Sequence, residues 1–103
     1  PISNNLLSEK IDFYLRVKGD SMVNVGIFEE DLIGINKSID PKVGSVVVAR
    51  INDDVTVKTL IEISKNKVVL RAENENYPDI VVDPTVDQLA FEGSCVALIR
   101  ESI

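Results

Sequence analysis

Histidine is absent from this sequence. Its absence removes every Ser-His and Cys-His mechanism at once, and with them the commonest zinc ligand; neither a metal nor a cofactor is expected. There is one cysteine, Cys95, so an intrachain disulfide is impossible and a reducing compartment is the natural setting. Cys95 opens the apolar run Cys95-Val96-Ala97-Leu98-Ile99, where a thiol reads as a small buried hydrophobe rather than a reactive group. Positive charge is scarce too: 11 Lys and Arg stand against 17 Asp and Glu, a formal net charge of −6. A DNA-binding surface needs clustered Lys and Arg to replace phosphate counterions, and neither a helix-turn-helix pattern nor a basic arm is present. No stretch approaches the ~18 apolar residues of a membrane span, and no signal-peptide pattern opens the chain. A cytoplasmic location without membrane contact is therefore expected. The sequence starts at Pro1 rather than Met, which points to a processed or trimmed product.

What is present suits one mostly β domain. The chain has 103 residues, 45% of them apolar and 27% charged, enough to bury ~60–70% of the surface its unfolded form exposes. Residues 1–12 read as an N-terminal arm, irregular or with a short helix around Leu6 and Leu7. Residues 13–103 read as a single compact domain of short, mainly antiparallel strands. Phe13-Tyr14-Leu15-Arg16-Val17, Asp31-Leu32-Ile33-Gly34-Ile35 and Ser45–Ile51 carry the β-branched and aromatic content of strands. Asn52-Asp53-Asp54 turns the chain into a returning strand, Val55–Leu60, which Ile61-Glu62-Ile63 extends. Further strands are expected at Lys67–Ala72 and Ile80–Val82, with Gln88–Glu92 leading into a last one at about Gly93 to Arg100. Seven or eight short strands at close spacing suggest an antiparallel barrel or sandwich.

Two features carry chemistry. Gly19-Asp20-Ser21-Met22 follows the end of the first strand, and Lys58 sits in Thr56-Val57-Lys58-Thr59-Leu60. A serine hydroxyl needs a base to become a nucleophile, and without histidine the candidates are Asp, Glu and Lys. Lysine serves only when neutral, which requires burial to lower a pKa of ~10.4. Strand alternation puts Lys58 on the side of Thr56 and Leu60, compatible with an apolar pocket. Gly19 permits a tight turn, and the backbone N–H groups of Asp20 and Ser21 are candidates to hold an oxyanion. Each feature also has an ordinary reading. Gly-Asp-Ser is a common surface turn, a strand lysine is usually solvated or guards an edge, and Met22 is most simply core filler.

Ordered motifs add to this. Phe13–Met22 resembles the nucleophile segment of the LexA, UmuD and phage-repressor peptidase family. Gly26-Ile27 and Glu30-Asp31-Leu32 resemble that family's "GI…GDLL" run, with Glu30 where the family usually has Gly. Gly44–Ile51 resembles its "G-x-VVVA" strand, and Val55–Leu60 its base-bearing "TVK-x-L" strand. Leu70 to Tyr77 resembles "L-x-x-E-N-x-x-Y/F", and Glu92-Gly93 with Val96 to Arg100 resembles "EG…VIR". The likeness covers about Phe13 to Arg100, and the 37-residue interval from Ser21 to Lys58 is of the expected size.

The resemblance implies a mostly β fold and a catalytic dyad of Ser21 and Lys58 that cleaves the protein's own chain at a small-residue–Gly bond in an upstream segment. It implies stimulation by a RecA–single-stranded DNA filament, and homodimerisation partly through the C-terminal strand, about Cys95 to Glu101. No Ala-Gly or Cys-Gly pair occurs in the N-terminal residues, so the scissile bond is expected upstream of residue 1. The leading expectation is the C-terminal domain of a LexA-like SOS repressor, with DNA contacted only by a separate N-terminal domain. The alternative is a UmuD′-like processed subunit of a translesion polymerase. A signal-peptidase relative would share the dyad, but the sequence offers no membrane segment. A small β binding domain with an incidental Ser and Lys is the remaining reading.

Overall fold

The computed structural model describes residues 10–100. Its β-branched runs form seven strands: β1 Phe13–Arg16, β2 Leu32–Asn36, β3 Val46–Ile51, β4 Asp54–Ile63, β5 Val68–Arg71, β6 Ile80–Val82 and β7 Leu89–Ile99. All neighbours are antiparallel, and the strands join into one sheet in the order β1-β2-β7-β3-β4-β5-β6. The mostly β, single-domain antiparallel expectation holds. The only helical element among the described residues is one 3-10 turn, Val23–Val25.

Alternation along β3 divides the core between the two faces of the sheet. Val48 joins Ile33 and Ile35 of β2, together with Val17, Met22 and Ile27 from the β1–β2 connection. Val47 and Ala49 point the other way and join Leu60, Val68, Leu70 and Val82. Burying side chains of this kind stabilises the fold by roughly 1.5–3 kcal/mol each before entropy is counted. Met22 is thus core, as its ordinary reading had it, and Cys95 packs partly buried against the same cluster.

The sheet is coiled by three irregularities. Register shifts occur between Gly34 and Ile35 and between Val48 and Ala49, both opposite β7, and between Leu60 and Glu62 within β4. Extra residues of this kind bend a strand and increase its twist. In β7 they let one strand pair with β3 along Leu89–Ser94 and with β2 along Ser94–Ile99. The last strand therefore begins at Leu89, not at Gly93 as the sequence suggested. Gly93 is interior to it: a Cβ there would collide with Ile35 Cγ2 and lie 2.9 Å from the Asn36 carbonyl, so only glycine admits the crossing strand.

At the other end, Lys10–Asp12 already bond to the sheet. Asp12 N–H donates to the Ile35 carbonyl at 2.7 Å, and Asn36 Nδ2 to the Lys10 carbonyl at 2.7 Å. The helix considered around Leu6 and Leu7 lies outside the described residues.

Candidate active site

The β1–β2 hairpin carries the serine. Its connection is closed at the neck, where Val17 N–H donates to the Asp31 carbonyl at 2.8 Å and Glu30 N–H to the Val17 carbonyl at 2.9 Å. Gly19 and Gly26 adopt φ of +78° and +83°, a region costly for residues with a Cβ. Glu30, the departure from the family pattern, also adopts φ +75°. It holds that conformation with its carboxylate 3.7 Å from Arg16 and 3.8 Å from Lys18. The buried Met22 side chain anchors the loop and leaves Ser21 beside it, half-buried, at the mouth of a cleft.

The β3–β4 hairpin carries the lysine. Val47 lies opposite Lys58 and Ala49 opposite Thr56, so Lys58 and Thr56 share one face of the sheet. β5 pairs with β4 only from Thr59 onward, which leaves the outer edge of Asp54–Lys58 without a strand among the described residues. Among the described residues β1 likewise has a partner on one side only. Between these edges lies a cleft of about 210 Å³ lined by Leu15–Lys18, Ser21, Met22 and Val55–Lys58.

Inside it, Lys58 Nζ lies 3.2 Å from Ser21 Oγ, 2.6 Å from Thr56 Oγ1 and 3.1 Å from the Val57 carbonyl. The residue is only 9% exposed, and among the described residues no carboxylate pairs with it. Burial pushes its pKa below the ordinary lysine value. A neutral amine has two N–H groups and one lone pair. In that form, with Thr56 Oγ1 and the Val57 carbonyl accepting the two hydrogens, the lone pair would face the serine hydroxyl, whereas a charged amine donates to Ser21 Oγ.

Ser21 and Lys58, 37 residues apart, are thus brought together. The backbone N–H of Ser21 finds no backbone acceptor among the described residues, while that of Asp20 faces the Tyr77 hydroxyl oxygen. Sequence reasoning passed over Thr56 as a partner of the amine, although residues i and i+2 share a strand face. It also gave no role to Asn74 and Tyr77. Asn74 Nδ2 donates to the Asp20 carbonyl at 2.9 Å, and the Tyr77 hydroxyl donates to Asp20 Oδ1 at 2.5 Å. No local signal identifies such long-range partners; only their place in the "E-N-x-x-Y" run set them apart. Burial raises the Cys95 thiol's pKa, and no described group of His, Cys, Asp and Glu is arranged to hold a metal ion.

Residues 1–96 match the family described as Peptidase S24-like. The chain is 48% identical over 99 residues to the LexA repressor of Shewanella woodyi, an overlap covering 96% of this chain and 48% of that protein. It is 53% identical over 89 residues to the LexA repressor of Shewanella sediminis, covering 86% and 43%. With the LexA repressor of Vibrio cholerae serotype O1 it shares 46% over 101 residues, covering 98% and 48%. The chain spans about half the length of the curated relatives it matches. Matched along nearly all its length, it belongs to the Peptidase S24-like family.

Proposed function

We propose that this chain is the self-cleaving peptidase and dimerisation domain of a LexA-like repressor, residues 13–103 forming the working unit and residues 1–12 an arm. The observation that carries the reading is the 3.2 Å approach of Lys58 Nζ to Ser21 Oγ in a mostly apolar cleft that offers the amine no counter-charge among the described residues. Neutral Lys58 takes the Ser21 proton as Ser21 Oγ attacks the scissile carbonyl. The Asp20 and Ser21 N–H groups stabilise the oxyanion. Protonated Lys58 then returns its proton to the leaving amine, and water, activated by the same lysine, releases the acyl group. The substrate is the protein's own chain upstream of residue 1. It enters extended between the edges of β1 and β4 that no described strand covers, where main-chain bonds supply affinity.

The relatives' names favour the repressor over the polymerase-subunit reading. The family resemblance adds the RecA–single-stranded DNA filament as the stimulus, an SOS setting and a cytoplasmic location. The net charge of −6 leaves DNA contact to another domain. Dimerisation is supported by β7: Cys95–Ile99 pairs with β2 on one side and, among the described residues, has no strand on the side of β3. Leu98 and Ile99 are exposed there. A second copy can add its own edge antiparallel.

The test is self-cleavage of the full-length protein at alkaline pH. Ser21→Ala and Lys58→Ala are each expected to remain uncut while wild type is processed. If either variant cuts itself at the wild-type rate, the mechanism is wrong.

A further inference from the structure

The turn that presents Ser21 is held from outside by the chain that follows β5. Asn74 is buried, and its Oδ1 accepts the Asn76 N–H at 2.9 Å. With the amide oxygen so occupied, the orientation of the amide is determined: its nitrogen meets the Asp20 carbonyl at 2.9 Å. The Tyr77 hydroxyl clamps the Asp20 carboxylate. The same loop is tied to both halves of the site. Glu73 Oε2 accepts from Thr59 Oγ1, next to Lys58, at 2.7 Å, and the Glu73 carbonyl accepts from Asn24 N–H at 2.9 Å.

The Asp20 carbonyl and the Ser21 N–H are the two ends of one planar peptide. Fixing the oxygen therefore aims the hydrogen. A bond donated to the carbonyl also polarises the peptide and strengthens its N–H as a donor. Building on the Ser21–Lys58 reading above, we propose that Asn74 is a positioning residue that holds the Asp20–Ser21 peptide so that the Ser21 N–H meets the developing oxyanion. Tyr77 keeps that peptide from turning through the Asp20 side chain.

The test is the pH profile of self-cleavage by the full-length protein. Asn74→Asp keeps the size of the side chain and loses the donor. The rate on the alkaline plateau is expected to fall about 10- to 100-fold, less than the loss of an oxyanion donor itself. The midpoint of the profile, set by Lys58, is expected to stay where it is in wild type. Tyr77→Phe is expected to lower the same plateau by a smaller factor at an unchanged midpoint. A wild-type plateau for Asn74→Asp overturns the proposal. So does a midpoint that moves with the plateau, because Asn74 would then act on the base. If Asn74→Asp does not fold, the wild-type protein decides by NMR. A scalar coupling between Asn74 Nδ2 and the Asp20 carbonyl carbon is expected, and its absence in an ordered turn refutes the contact. Ser21→Ala and Lys58→Ala separate the two layers. Cleavage by either sinks the dyad itself, whereas inert dyad variants beside an Asn74→Asp protein of wild-type rate sink only the role of Asn74.

Discussion

Replacing Lys58 by Met turns the stability of this domain into a measure of its candidate base. Met has nearly the length of the lysine stem and no charge to desolvate. Lys58 is almost wholly buried with no carboxylate partner among the described residues, and burial lowers its pKa from 10.5. Below the folded-state pKa both the folded and unfolded chains hold the proton, and the folded one bears the full cost of a buried ammonium. Between the folded-state pKa and 10.5, only the unfolded chain is still protonated. Over that window wild-type stability rises relative to Lys58→Met with a slope of about 1.4 kcal/mol per pH unit, and above it the difference levels off. The total rise is thus about 1.4 kcal/mol for each pH unit by which burial depresses the lysine. Urea unfolding of both proteins from pH 6 to pH 11 reads it directly, since the other titrating groups are common to the two and cancel in the difference. The onset of the rise is expected at the pH where self-cleavage of the full-length protein is half-maximal. A stability difference that stays flat to pH 10 would mean an ordinary solvated lysine and would remove the base from the mechanism.

Two further outcomes test the scaffold. At Glu30 the left-handed backbone costs about 1 kcal/mol or more in any residue with a Cβ, partly offset by the unfolded-state freedom of glycine. Glu30→Gly is therefore expected to be about 0.5–1 kcal/mol more stable than Glu30→Ala in thermal unfolding. Equal stability of the two would show that the backbone there is unstrained, since both lose the ion pairs to Arg16 and Lys18. Arg100 closes the far end of the nucleophile loop: it meets both oxygens of the buried Asp31 at 2.8 Å and the Gly26 carbonyl at 2.7 Å, and lies 4.8 Å over the Phe28 ring. Arg100→Ala is expected to lower stability measurably at pH 7, because Asp31 is left without its cation. The hydrogen bonds from Arg100 hold the Asp31 pKa below its ordinary 3.8. That stability is complete above the ordinary value and is lost as pH falls through the folded-state pKa, so the gap between the two proteins should narrow in acid. A urea titration with no gap at pH 7 would refute the role given to the pair.

The strands were legible because each is a local fact. Val46-Val47-Val48 and Val55-Thr56-Val57 have the side chains that fill a pleated surface, and β3, β4 and β6 lie within a residue or so of where composition puts them. The extent of β7 was not legible. Ala90, Glu92 and Gly93 look like a break until Ile35 and Asn36 are seen pressing on the position of Gly93, and that contact depends on which strands become neighbours. The order β2-β7-β3 joins segments far apart in the chain, and no local pattern encodes it. The site divides in the same way. The need for a base other than histidine follows from chemistry and leaves Asp, Glu and Lys as candidates, and the family resemblance singles out Lys58 among them. The residues that shape its surroundings, Thr56 across one pleat and Asn74 from a distant loop, are ordinary polar residues whose significance arises only from where the fold sets them.

A lysine in this role carries a consequence that a histidine would not. Only the neutral fraction of the lysine can accept the serine proton, so whatever fraction stays charged at a given pH is unproductive. For a substrate arriving by diffusion that fraction would compound with a low chance of encounter. For a segment of the same chain, encounter costs little: attachment provides an effective concentration that intramolecular reactions raise to as much as roughly 10⁵–10⁸ M when geometry is right. The proposed reaction therefore tolerates a base that is only partly neutral, provided the substrate is tethered and the nucleophile held still. The structure meets the second condition with a loop closed at its neck by Val17 and Asp31, anchored by Met22 and restrained at Asp20 by Asn74 and Tyr77. Under this mechanism, rate is governed by two separable quantities, the protonation of Lys58 and the residence of the tethered segment in the cleft. Raising pH acts on the first. A stimulus that favours the docked segment acts on the second, and should raise the rate at every pH while leaving the midpoint of the profile at the lysine's own pKa.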